Sequence, residues 1–134
     1  MYTITQRKTL HKQLAIVPAN SAEQVIFNVD IVPEKMAGKF GELCWKVQQE
    51  TTKKEPDAEA IGEAIVELFT IVFGKEQTEI MINMYEGNYL DLLVDVTPFL
   101  IEEIKPAIIE ASTSKRDELK KLAEETKPKK KFWK

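Results

Sequence analysis

One cysteine, one histidine, five glycines and six prolines in 134 residues leave most chemical signatures without material. With Cys44 alone, no intrachain disulfide can form and no Cys-x-x-Cys or Cys/His zinc spacing exists. A lone thiol agrees with a reducing compartment. The glycines, at positions 38, 41, 62, 74 and 87, spell neither a phosphate loop nor a dinucleotide fingerprint. No Asp-x-Asp calcium loop occurs. The start, Met1 to Lys8, lacks the apolar centre of a secretory signal. Asp91, Asp95, Glu102 and Glu103 interrupt the most apolar region, so no run nears the ~18 residues of a membrane span. These absences predict a soluble, cytoplasmic protein with no membrane partner, cofactor, metal or small-molecule substrate.

Catalysis needs a constellation, and the sequence assembles none. His11 lies in an extended region with no serine or cysteine signature beside it, which makes it a surface residue of a hairpin. Cys44 falls on an apolar helical stripe with Phe40 and Val47, the usual setting of an inert buried thiol. Glu59, Glu63 and Glu67 recur every four residues and form a solvated helix face. No enzymatic activity is expected.

What the chain does have is ordinary globular substance, 43% apolar and 31% charged, divided unevenly by charge. Residues 1–112 carry 18 acidic and 10 basic side chains, a net of −8, whereas residues 113–134 carry 4 and 9, a net of +5. Such polarity points to an acidic body with a basic interaction tail. The tail ends Lys127-Pro128-Lys129-Lys130-Lys131-Phe132-Trp133-Lys134, and its aromatic tip has nothing of its own to bury against.

The periodicities give an α+β fold, mainly α. Gln13 to Val17 is a short apolar run ended by Pro18-Ala19-Asn20-Ser21, and Val25 to Ile31 alternates apolar and polar residues. Together they predict an antiparallel hairpin within 12–31, packed on a bundle of about five helices in 33–110. Pro33 opens the first helix, with Met36, Phe40, Leu43, Cys44 and Val47 on one face. Pro56-Asp57 opens the second, whose stripe is Ile61, Ala64, Ile65, Leu68, Phe69 and Val72, with Gly74 as its stop. A third runs from Lys75 to Tyr85 with Ile80, Met81, Met84 and Tyr85 inward, and Glu86-Gly87-Asn88 breaks it. Tyr89 to Val96 follows, with Leu90, Leu93 and Val94 as its buried positions. Thr97-Pro98 reads as a new cap and first turn for a very apolar helix, which Pro106 should kink or restart. Residues 1–112 form one domain on this reading. Thr113-Ser114 caps a separate charged helix to about Glu125, and a disordered basic tail follows.

Several segments in this order carry a resemblance. They are the hairpin leading into Val32-Pro33-Glu34, then Phe73-Gly74-Lys75-Glu76-Gln77 and Met84-Tyr85-Glu86, then Thr97-Pro98-Phe99-Leu100 and Ile104-Lys105-Pro106. Over most of residues 10–110 the chain resembles the tail assembly chaperones of long non-contractile-tailed (siphovirus-type) phages and prophages of Gram-positive bacteria. The resemblance implies a non-enzymatic helper that binds the tape measure protein and keeps it soluble while the tail tube polymerises. It also implies self-association into homo-oligomers or spiral arrays, a longer form of the chain made by programmed frameshift near Lys129–Lys131, and absence from the mature virion.

Two segments are expected to bind partners. One is the apolar helix faces of residues 89–109, through Leu90, Leu93, Val94, Phe99, Leu100, Ile104 and Ile108. The other is the tail, through Lys129, Lys130, Lys131, Phe132 and Trp133. Two other functions stay open: a virion tail-completion or connector protein, and a nucleic-acid-binding module using the basic tail. The net charge of −8 on the body disfavours the last by repelling phosphate.

Overall fold

The computed structural model describes residues 1–4 and 9–126. It is an α+β fold, mainly helical, that begins with an antiparallel hairpin of β1 (Leu10–Ile16) and β2 (Val25–Ile31). The register pairs Leu10 with Ile31 and Gln13 with Asn28, so Leu10, Lys12, Leu14 and Ile16 share a face with Val25, Phe27, Val29 and Ile31. Alternate residues of a strand point to opposite sides, and this face lies on the helices. Phe27 and Val29 are fully buried. The hairpin begins two residues before the expected start, at Leu10.

Five α-helices follow: α1 (Pro33–Thr51), α2 (Ala58–Phe73), α3 (Lys75–Met84), α4 (Tyr89–Phe99) and α5 (Lys105–Thr126). Pro33 stands at the start of α1, where its missing N–H costs nothing. Asp57 caps α2 by accepting hydrogen bonds from the amides of Glu59 and Ala60 at 3.0 and 3.4 Å. All six residues of the expected α2 stripe are buried, which makes this helix the centre of the core. Gly74 alone separates α2 from α3, and its φ of 86° is a conformation that side chains disfavour. Thr78 buries its hydroxyl there by donating to the Gly74 carbonyl at 2.8 Å.

Two expectations fail in the second half. Thr97-Pro98 opens no new helix. The Thr97 hydroxyl turns back to the Leu93 carbonyl at 2.5 Å, and Pro98 lies inside α4. A π-turn at Leu100–Ile104 then joins α4 to α5, with the Lys105 amide bonded to the Leu100 carbonyl five residues back. No break occurs at Thr113-Ser114 either, and α5 runs through both to Thr126. The chain from Tyr89 to Thr126 is thus one continuous rod, and the helical bodies among the described residues number four.

The reason lies in the buried residues Leu92, Val96, Leu100, Ile104 and Ile108, spaced by four. In an α-helix, at ~100° per residue, that spacing drifts around the rod by about 40° at each step. A wider i→i+5 turn rewinds the drift and keeps the stripe against the body. The same widening sits just before Pro106, which then occupies the first turn of α5, where a proline is tolerated. Past Ser112 nothing comparable anchors the rod, and residues 113–124 are exposed on all sides. Pairs such as Asp117 with Lys121 stand at the i,i+4 spacing that sustains an exposed helix.

Burial also departs from expectation at Ile80, Leu90 and Val94, which are exposed, while Thr78, Leu92 and Val96 take the inward positions. In α4 the phase of the stripe is ambiguous in the sequence, because Leu90, Leu92, Leu93 and Val94 are all apolar and hydropathy alone cannot choose among them.

Candidate docking groove

α1 packs along the rod, and an open groove of about 970 Å³ runs on the outside between them. Its α1 wall is Ala37, Gly41, Cys44, Trp45 and Gln48. These positions lie one step around the helix from the core residues Phe40, Leu43 and Val47, so the groove borders the core. The rod supplies Leu93, Thr97, Ile101, Lys105, Ile109 and Arg116, with Leu100 and Ile108 forming the floor.

The lining is mostly apolar and its apolar tips are wet. Trp45, Ile101 and Ile109 are each more than half exposed, at 62%, 54% and 53%. Leu90 and Val94 continue this exposed surface toward the start of α4, at spacings of 11 and 7 from Ile101 that fall on the same side of a helix. A contiguous exposed patch of this kind marks an interaction surface more often than scattered exposed residues do.

Two details shape it further. Gly41 lies mid-helix on the α1 wall, and a methyl group there would meet nothing within 4 Å. Nothing inside the chain therefore requires a glycine, although it weakens the helix by ~1 kcal/mol relative to alanine. The groove wall is therefore low at this position. Among the described residues, Lys105 and Arg116 are the charged ones that line the groove, and neither has an ion-pair partner there. The groove thus joins an apolar floor to a cationic edge on a chain of net charge −3.

Cys44 is half-buried in this wall. Burial pushes its thiol pKa up, and the nearby Lys105 ammonium only partly offsets that. A thiol held protonated is a poor nucleophile, so the residue acts here as a small apolar surface. No group of three or more His, Cys, Asp or Glu among the described residues is arranged to hold a metal ion. His11 does not line the groove; it lies on the exposed face of β1, bonded to Asp30.

No family model, curated protein or solved structure matches this chain. Among the described residues, no helix is long and apolar enough to cross a membrane.

Of the seven apolar residues proposed for contact, Leu93, Leu100 and Ile108 line the groove, and Leu90 and Val94 extend it. Ile104 does not: it is fully buried and belongs to the core. Phe99 is half-buried away from the groove, stacked on Phe73 at 6.0 Å. Lys129, Lys130, Lys131, Phe132 and Trp133 lie outside the described residues. Sequence reasoning missed the whole α1 wall. Trp45 was the available signal, a large aromatic on an otherwise polar helix face between Glu42 and Gln49.

Proposed function

We propose that this chain is a non-enzymatic assembly factor of the tail-chaperone type, which holds a long helical partner by laying segments of it along the α1–rod groove. The observation that carries the reading is the groove itself: elongated, open, apolar at its floor and cationic at one edge. Such a shape suits the apolar stripe of an amphipathic helix, a recurring mode of peptide recognition. Lys105 and Arg116 favour a stripe flanked by glutamate or aspartate, because opposite charges at a rim set orientation and encounter rate.

A tape measure protein is long and amphipathic, and in isolation its apolar stripe would aggregate. Many copies of a small chaperone binding side by side would cover that stripe, each contact being weak enough for tube subunits to displace. Linked sites on one partner raise the effective concentration of each further contact, so modest single-site affinity suffices. This reading places the protein in the bacterial host cytoplasm and leaves it out of finished particles.

The test is co-expression with a long helical protein of the tape-measure type. The full chain should carry that partner into the soluble fraction, and Ile101→Glu, which sets a carboxylate in the apolar wall, should return it to the pellet. Recovery of the chain as a stoichiometric part of purified particles would replace this reading with the virion-component alternative. Solubilisation that survives Ile101→Glu would take the groove out of the account.

A further inference from the structure

The two edges of the hairpin are not alike. At the outer edge of β2, the Gln77 side chain acts as a short piece of strand. Its Oε1 accepts from the Asn28 amide at 2.8 Å, and its Nε2 donates to the Asn28 carbonyl at 2.7 Å. A further bond from Nε2 to the Phe73 carbonyl at 2.6 Å ties the clasp to α2. That edge is closed at its midpoint.

The same clasp reveals the phase of the ladder. Both backbone groups of Asn28 point away from β1, so Asn28 and its partner Gln13 form a pair that exchanges no bonds across the hairpin. Alternation along the ladder then sends the N–H and C=O of His11, Gln13 and Ala15 outward from β1. No hydrogen bond among the described residues meets these six groups. On the core-facing side of β1, Leu10, Leu14 and Ile16 are only half-buried, while Phe27, Val29 and Ile31 beside them are buried. β1 is an open edge with unfinished burial, the feature natural sheets usually protect.

We propose that β1 pairs antiparallel with β1 of a second copy across a two-fold axis at Gln13, joining two hairpins into one four-stranded sheet. The register is self-complementary. Centred on Gln13, it sets His11 opposite Ala15 of the second copy and Gln13 opposite its own equivalent, so all outward groups meet in three bonded pairs. Lys12 falls opposite Leu14 of the second copy, so no like charges face each other. The two longest polar side chains flanking that axis on its N-terminal side are already engaged within the chain, Lys12 with Glu103 at 3.0 Å and His11 with Asp30. Gln77 closes the other edge of each hairpin, so the sheet stops at four strands and the assembly closes as a dimer. This surface lies apart from the groove, and the inference does not depend on what the groove binds.

Sedimentation equilibrium on the full chain tests it, with Gln13→Lys and Gln13→Glu as variants. Either substitution places two like charges at the two-fold axis, while leaving the exposed side of β1 free of core contacts. The unaltered chain should be a dimer. Each variant alone should dissociate about tenfold or more readily, as like-charge juxtaposition costs, and an equimolar mixture of the two should recover the dimer. Ala15→Pro is a second probe, since it deletes an outward N–H and no bond of the hairpin; it should yield monomers with an unchanged circular dichroism spectrum. A monomer at every concentration, or a dimer indifferent to these variants, overturns the proposal. Groove binding should persist in Gln13→Lys, which separates the two readings.

Discussion

Replacing Gly41 with alanine should make the protein more stable and a worse binder at the same time. The residue sits inside α1, where Gly→Ala is worth ~0.8–1.0 kcal/mol in helix propensity. An added methyl meets no atom within 4 Å, so no clash subtracts from the gain. With unfolding entropy of ~2.1 cal/mol/K per residue over the whole chain, ~1 kcal/mol corresponds to a rise of about 3.5 °C in Tm. A helix seated in the groove would meet the same methyl, and displacing a packed backbone costs at least ~1 kcal/mol, or about fivefold in affinity. Gly38 is the control. It is equally open but does not line the groove, so Gly38→Ala should raise Tm alike and leave binding unchanged. Thermal unfolding followed by circular dichroism measures the first effect, and titration with the helical partner measures the second. A fall in Tm for Gly41→Ala would refute the open wall, and equal binding by the two variants would refute close approach at Gly41.

Gly62 should behave in the opposite way. A methyl there would come within 2.9 Å of the Tyr89 ring, so ~1–3 kcal/mol of overpacking outweighs the helix gain. Gly62→Ala should lower Tm, and Tyr89→Ala in the same chain should remove most of that loss. Gln77→Ala breaks the clasp on β2 and should speed amide exchange at Asn28 by several-fold while the α2 core stays protected. Tyr85 should ionise late. Partial burial, with its hydrogen bond to Asp95 at 2.7 Å and that carboxylate's charge, pushes its phenol up to about 12. Because the unfolded chain releases that proton near pH ~10, stability from this group is present below that value and lost as pH rises toward 12. Ultraviolet titration should show a late phenolate component that Tyr85→Phe removes.

The first half of the fold was legible because its signals agree with one another. Pro33, Asp57 and Gly74 mark helix ends chemically, and the α2 stripe has a single phase. The second half was harder because its punctuation misleads. Thr97-Pro98 and Thr113-Ser114 look like caps, yet a buried row spaced by four carries the chain through the first and an exposed, charge-paired helix runs on through the second, and the π-turn that reconciles the row with the helix leaves no local signature. The groove was half legible for a related reason. Leu93, Leu100 and Ile108 stand out as apolar, but a wall made of Ala37, Gly41 and Cys44 is defined by how little it projects, and periodicity does not register small residues. The clasp of Gln77 on Asn28 spans 49 positions and could not be read from either neighbourhood.

Trp45 offers the most direct test of the groove as a helix-docking site, since it lines the wall and is largely exposed. In a Trp133→Phe chain it is the sole tryptophan. Titrating that chain with a synthetic amphipathic helix, an Ile/Leu stripe flanked by glutamates, should shift Trp45 emission to the blue with saturation. Ile101→Glu should abolish the shift, and a helix flanked by lysines should bind less tightly. An emission spectrum that does not move, or a shift that ignores Ile101→Glu, would contradict the claim that this groove holds the partner.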